Sequence, residues 1–140
     1  MTKRIRNHHA FTLIELLVVI LILAILAALV VPNLVNKTGD AKIAKAKSDI
    51  ATLSSLLAQY RIENDKYPST EQGLQALRVQ PSDAPNWRGP YSQKELPPDP
   101  WGNEYVYQAP GPNGEDFIIV SYGADGAPGG MNDAQDITSQ

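Results

Sequence analysis

From Phe11 to Val31 the chain reads FTLIELLVVILILAILAALVV, and from Leu16 to Val31 it holds no polar side chain. In an apolar setting such a backbone must satisfy its own amides, so the segment is predicted to be helical. At ~1.5 Å per residue, the stretch before Pro32 spans about 30 Å, the thickness of a bilayer's hydrocarbon core. Its surface is apolar on every side, so lipid or other protein has to surround it. Two features separate it from a plain anchor. A lone carboxylate, Glu15, sits in its first turns, and a short leader, residues 1–10, carries Lys3, Arg4 and Arg6 ahead of it.

A basic leader before an apolar run also describes a secretory signal peptide. Here, however, the run exceeds the usual ~7–15 apolar residues, and Pro32-Asn33 stands where a small-x-small cleavage site belongs. The leader cations favour a cytoplasmic N-terminus, which predicts a single span with the remaining chain on the far side. An acidic residue at the edge of such a span either snorkels to the headgroups or has a function that repays its desolvation.

Residues 33–140 suffice for one small domain. Three of the twelve cations lie in the leader, leaving nine basic against fifteen acidic residues. No Lys or Arg follows Lys94, whereas Asp99, Glu104, Glu115, Asp116, Asp125, Asp133 and Asp136 all do. So acidic a tail excludes a phosphate-neutralising surface, hence a nucleic-acid partner, and suits a cation. With no cysteine, disulfides and thiolate metal sites are excluded as well.

Pro32 predicts a kink or local melting near Ala28 to Pro32. Beyond it, Ile43, Ile50, Leu53, Leu57 and Tyr60 recur at helical spacing and predict an amphipathic continuation over 33–64. Gly39-Asp40 reads as a soft point, with Asp40 as a cap for the second half. Pro68 ends the helical register, and Ser69 or Thr70, with Glu71 and Gln72 after it, starts a short helix to Leu77. From Gln80 to Pro98 the prolines predict an ordered loop packed through Trp87 and Tyr91. Gly102-Asn103 turns into a strand over 104–108, and the best strand lies over 117–122. Two or three antiparallel strands against a long helix make an α+β domain.

The last segment, from Ser121 to Ile137, combines five glycines and prolines with Asp125, Asp133 and Asp136. Hard oxygen ligands on such a loop suit Ca²⁺, although the spacing is not that of an EF-hand. A plain solvated acidic loop is the alternative.

Ala10-Phe11-Thr12-Leu13-Ile14-Glu15-Leu16-Leu17-Val18-Val19-Ile20 resembles the signal of type IV pilins and pseudopilins. Two further strings, Tyr67 to Leu77 and Leu96 to Tyr105, resemble the major pseudopilins of type II secretion systems in particular. The resemblance implies a type IV pilin-like α+β fold, with a long N-terminal helix on a small antiparallel sheet and a C-terminal calcium loop. It divides the chain into a cytoplasmic leader over 1–10, a transmembrane and filament-core helix over 11–32, and a periplasmic domain over 33–140. A prepilin peptidase would cut between Ala10 and Phe11 and methylate the Phe11 amine; the family usually has Gly where this chain has Ala10. Assembly would rest on Phe11, Glu15 and Pro32, with Glu15 pairing with that amine on a neighbouring subunit. Calcium would be held by the carbonyls of Tyr122 and Ala127, by Asp125, and by Asp133 or Asp136. The implied partners are further copies of the chain, minor pseudopilins, an inner-membrane assembly platform, the peptidase/N-methyltransferase and the membrane itself. The implied function is that of a pseudopilus subunit driving folded proteins across the outer membrane. Related readings are a subunit of another pilin-like filament and a membrane-tethered calcium module. No catalytic set accompanies any of these, since both histidines, His8 and His9, lie in the leader.

Overall fold

The computed structural model describes residues 11–140, with the side chains of residues 29–37 outside that description. Its order is α1 (Leu13–Asn64), a 3-10 turn at Gly73–Leu77, β1 (Val106–Gln108), β2 (Ile118–Ser121), 3-10 turns at Gly123–Asp125 and Asn132–Ala134, and β3 (Ile137–Thr138). By packing, the chain forms two units, Met1–Lys37 and Thr38–Gln140.

In the first unit α1 begins with a capping box. The Thr12 hydroxyl accepts the Glu15 N–H at 3.3 Å, and a Glu15 carboxylate oxygen accepts the Thr12 N–H at 3.4 Å. From Phe11 to Ala28 every side chain is exposed, Phe11 and Leu13 by more than four-fifths. Among the described residues no helix is long and apolar enough to cross a membrane; the predicted span over 11–32 includes side chains outside the description. Helix α1 is one element of 52 residues, so the expected melting at Pro32 does not divide it. A proline costs a helix one internal hydrogen bond, and the bonds on either side carry it through.

In the second unit the helical stripe does what its period dictates. Ala46, Ile50, Leu53, Leu57 and Tyr60 are buried, with Ile43 packed against them. Each fully buried large side chain contributes roughly 1.5–3 kcal/mol. The stripe extends one turn further back than the hydrophobic residues alone indicate, because Gly39 is buried between exposed Thr38 and Asp40. Asp40 therefore lies inside a continuous helix and caps nothing. The helix ends before Pro68. Asp65 takes φ 60° and its N–H returns to the Arg61 carbonyl at 2.8 Å, a left-handed cap that Asp tolerates better than most residues.

Ser69 and Gln72, not Glu71, form the second capping box: the Gln72 side chain accepts the Ser69 N–H at 2.9 Å and the Ser69 hydroxyl accepts the Gln72 N–H at 3.3 Å. The helix predicted behind it is a 3-10 turn of five residues that buries Leu74, Ala76 and Leu77. Trp87 pins the Pro-rich loop by donating to the Ala76 carbonyl at 2.9 Å, with its ring edge-on to Tyr91 at 5.7 Å. The sheet order is β1-β2-β3, antiparallel throughout, with Tyr107 opposite Ile119 and Ser121 opposite Ile137. Tyr107, Ile119 and Ile137 face the core.

Candidate functional site

Two regions carry the residues singled out by sequence. At the N-terminal one, Phe11 is 83% exposed and Glu15 lies at the mouth of the helix, its carboxylate held back over Thr12. A carboxylate there complements the partial positive charge of the helix N-terminus. Ala10 lies outside the described residues, as does the side chain of Pro32.

The second region is the acidic loop between β2 and β3, and its foundation is a carboxylate that sequence reasoning passed over. Asp99 is 3% exposed. One of its oxygens accepts the N–H groups of Trp101 and Asn103 at 3.0 and 2.8 Å, and the other accepts the Ser121 hydroxyl at 2.6 Å. Ser121 is fully buried at the end of β2, where the loop departs. Asn103 reaches across to donate to the Gly123 carbonyl at 3.0 Å. The Pro98-Asp99-Pro100 turn thus grips the first residues of the loop. The signal for it was present: an Asp between two prolines and ahead of Trp-Gly-Asn suits a side chain that bonds its own following amides.

Beyond Ser121 the loop makes two 3-10 turns that pack together, Gly123–Asp125 and Asn132–Ala134. Gly123 has φ +65°, and a Cβ there would lie 2.6 Å from the Asp133 carbonyl oxygen and 2.9 Å from that of Gln135. Only glycine lets those two stretches of backbone approach so closely. Asp125 and Asp136 are exposed, and each bonds loop amides. Asp125 accepts the Ala127 N–H at 3.2 Å, and both oxygens of Asp136 accept the Gly129 N–H at 3.0 Å. Asp133 is half-buried and turns toward Gly39 of α1. The five residues implied as calcium ligands, Tyr122, Asp125, Ala127, Asp133 and Asp136, are therefore brought into one loop. Their carboxylates are not gathered: among the described residues no group of three or more acidic, His or Cys side chains is poised to hold a metal. The donor chemistry is nonetheless that of a hard cation, since every available ligand is oxygen and no cationic residue follows Lys94.

Elsewhere on the domain, Tyr105 donates to Asp49 at 3.1 Å, and Asp49 is also paired with Lys45. Burial first, then the Asp49 charge, pushes the Tyr105 phenol well above its ordinary range. Trp101 is half-buried and packs against the core, with Lys42 lying 5.9 Å over its ring. A groove of about 400 Å³ between Glu71, Gln72, Leu96, Pro98, Tyr105 and Tyr107 offers carboxylates and phenols, and the Tyr107 hydroxyl is already committed to the Pro68 carbonyl at 2.8 Å.

Two family models match the chain. One, described as type II secretion system protein G, matches residues 33–140; the other, the prokaryotic N-terminal methylation motif, matches residues 5–31. The chain is 47% identical over 135 residues to the type II secretion system core protein G of Pseudomonas aeruginosa, covering 94% of each chain. It is 43% identical over 137 residues to that of Vibrio cholerae serotype O1, covering 96% of this chain and 93% of the relative. Among solved structures it is similar to the major pseudopilin from the type 2 secretion system of enterohaemorrhagic Escherichia coli. That match has a TM-score of 0.66 at 40% identity and covers 79% of this chain and 96% of the other.

Proposed function

This chain belongs to the type II secretion system protein G family, whose members are major pseudopilins, and from that membership we infer how its N-terminal segment works. The protein is a structural subunit of type II secretion and assembles with other secretion components into a pilus-like filament. The observation that carries the finer reading is the segment from Phe11 to Ala28, exposed and apolar on all sides apart from Thr12 and Glu15.

The apolar helix is held first by the inner membrane and then by the filament core. Lys3, Arg4 and Arg6 keep the N-terminus cytoplasmic, and the domain from residue 33 lies in the periplasm. The prepilin peptidase cuts between Ala10 and Phe11 and methylates the new amine. Glu15 then has a cation to meet. Its carboxylate already overhangs the start of the helix, one residue from where that amine forms. In a dry bundle an unpaired carboxylate and an unpaired ammonium are each costly, and pairing across neighbouring subunits offsets the desolvation while setting the axial register. Growth of the filament through the inner-membrane platform, with minor pseudopilins, drives folded proteins across the outer membrane. No catalytic role belongs to the subunit.

Mass spectrometry of the mature N-terminus tests this. N-methyl-Phe11 is expected, and an intact Met1 would overturn processing and favour a tethered module. Glu15→Leu should leave membrane insertion intact and abolish filaments; normal filaments in that variant would sink the pairing.

Calcium belongs to the same reading. Asp125, one of Asp133 and Asp136, and the carbonyls of Tyr122 and Ala127 would hold it, and the ion would neutralise carboxylates that have no cationic side chain after Lys94. The detergent-solubilised chain should melt several degrees higher with Ca²⁺ than with EDTA, and superimposed curves would remove the ion from the account.

A further inference from the structure

Strand β1 is an edge of the sheet, and its neighbours fix the direction of its main-chain groups. The Ile119 carbonyl accepts the Ser139 N–H at 3.0 Å, and the Ile119 N–H donates to the Ser139 hydroxyl at 3.1 Å, so both groups point toward β3. Those of Ile118 and Val120 therefore point toward β1, where Gln108 and Val106 stand opposite. Alternation along β1 then turns the N–H and C=O of Tyr105, Tyr107 and Ala109 to the open edge. Ala109 bears this out. Its N–H donates to the Thr70 hydroxyl at 3.0 Å, and that hydroxyl donates to the Ala109 carbonyl at 3.1 Å. Thr70 thus seals one end of the edge. Beyond the seal, among the described residues, nothing bonds the main-chain N–H or C=O of Tyr105 or Tyr107, although Tyr107 is buried. The groove of about 400 Å³ runs beside this stretch: Tyr105 and Tyr107 line it, Val106 between them does not, and Thr70 stands in its wall. Leu53, Leu74 and Leu96 make part of the lining apolar. Glu71 and Glu104 line it as well, both exposed, and no cation does.

We propose that this groove takes an extended, cationic segment of another polypeptide, added to the open edge of β1 as a further strand. An unpaired edge is a template for such pairing, with main-chain bonds giving affinity and side-chain pockets giving selectivity. At ~3.3 Å per residue, Tyr105 to Tyr107 spans about 7 Å, which matches about three residues of an added strand. The leucines take an apolar side chain of that strand. Glu71 and Glu104 belong to none of the ion pairs among the described residues, so a Lys or Arg brought into the groove finds free carboxylates. A second copy of this chain does not supply the strand. Arg88 runs into Gly89-Pro90, which lacks a donor, and Lys94 is followed by Glu95, a further carboxylate. Arg78 closes a 3-10 turn with its N–H on the Gln75 carbonyl, and Lys66 is paired with Asp83. The other cations past residue 11 lie in α1, and Lys3, Arg4 and Arg6 stay across the membrane in the reading above.

The test uses the full chain in detergent and three blocked heptapeptides. One alternates Val and Lys, one alternates Val and Glu, and one repeats the first with every central amide N-methylated. Amide hydrogen exchange followed by NMR reads the site directly. At about ten times its Kd the Val–Lys peptide should slow exchange of the Tyr107 N–H about tenfold. The N-methylated peptide, stripped of strand donors, should bind at least about tenfold more weakly, and the Val–Glu peptide more weakly than Val–Lys. Glu71→Gln and Glu104→Gln change exposed side chains and should each weaken Val–Lys binding about two- to fivefold at low salt. No binding of the Val–Lys peptide at millimolar concentration overturns the proposal. So does binding that leaves Tyr107 exchange unaltered, or equal binding of the N-methylated peptide. Unchanged affinity in both glutamate variants overturns the selection for a cation. Tyr107 exchange that slows with chain concentration alone places a second copy on the edge and overturns the choice of partner.

Discussion

A buried carboxylate does the most organising work per atom in this domain. Asp99 accepts from two main-chain amides and one hydroxyl, so removing it leaves buried donors without partners. Asp99→Ala should cost about 2–4 kcal/mol, because each orphaned donor forfeits its desolvation. Asp99→Asn should cost about 1 kcal/mol, since its carbonyl still accepts both amides and its NH₂ faces a Ser121 hydroxyl able to accept. Urea unfolding of the two variants checks the order, and equal costs would contradict the bonding described. The tyrosines make a second residue-scale case. Tyr60, Tyr91, Tyr105 and Tyr107 are all raised above the ordinary phenol value of 10.0, in each case chiefly by burial. A group whose folded pKa is raised contributes stability that is fully present below its unfolded pKa and lost as pH rises toward the folded one. Melting temperature should therefore hold level with respect to these phenols up to about pH 9 and fall beyond about pH 10. Tyr105→Phe should flatten that fall, and an unchanged slope would remove Tyr105 from the account.

At the scale of elements, the second half of α1 is a two-faced object whose faces should respond very differently to the same kind of truncation. Leu57→Ala opens a void in a fully buried position and should cost about 2–5 kcal/mol. Ile62→Ala, five residues on and 81% exposed, should stay within about 0.5 kcal/mol. Denaturant midpoints measure both, and similar costs would mean that the stripe is misassigned. That stripe was legible in sequence because a helix repeats its contacts every 3.6 residues, so five apolar side chains announce one face. The strand over 118–121 was legible for a different reason, its β-branched run Ile118-Ile119-Val120. Strand β3 was not: two residues carry no periodicity, and Ile137–Thr138 is a strand only because β2 offers it an edge. Gly39 was misread because burial without a side chain leaves no hydrophobic mark. That Asp133 faces Gly39 was not legible either, because residue type states what a carboxylate can bind and says nothing about which way it faces. Asp99 could have been found from the flanking prolines, but not its bond to Ser121, which joins residues 22 positions apart.

For the whole molecule, the division into two units has an energetic consequence. Among the described residues the buried core, from Ala46 to Ile137, lies within Thr38–Gln140, and the N-terminal apolar side chains from Phe11 to Ala28 are exposed. The described core is thus contained in the second unit, while the described side chains of the first, Phe11 to Ala28, are left for something else to surround. A chain reduced to residues 38–140 should then stay soluble without detergent and sediment as a monomer. It should also melt within a few degrees of the full chain, because it keeps all the described core. The full chain should require detergent or lipid, since an all-round apolar helix in water invites association. Fraying is expected only at the new end, and it should fall on the Gly39 contact before it reaches Ala46. Circular dichroism melts and sedimentation of the two chains decide the matter. If the shortened chain is unfolded or strongly associated, the N-terminal segment contributes to the fold of the domain as well as to its tethering. If it behaves as the full chain does, the apolar segment is attached to a domain that folds without it, which is what the proposed transfer of that segment from lipid to neighbouring subunits requires.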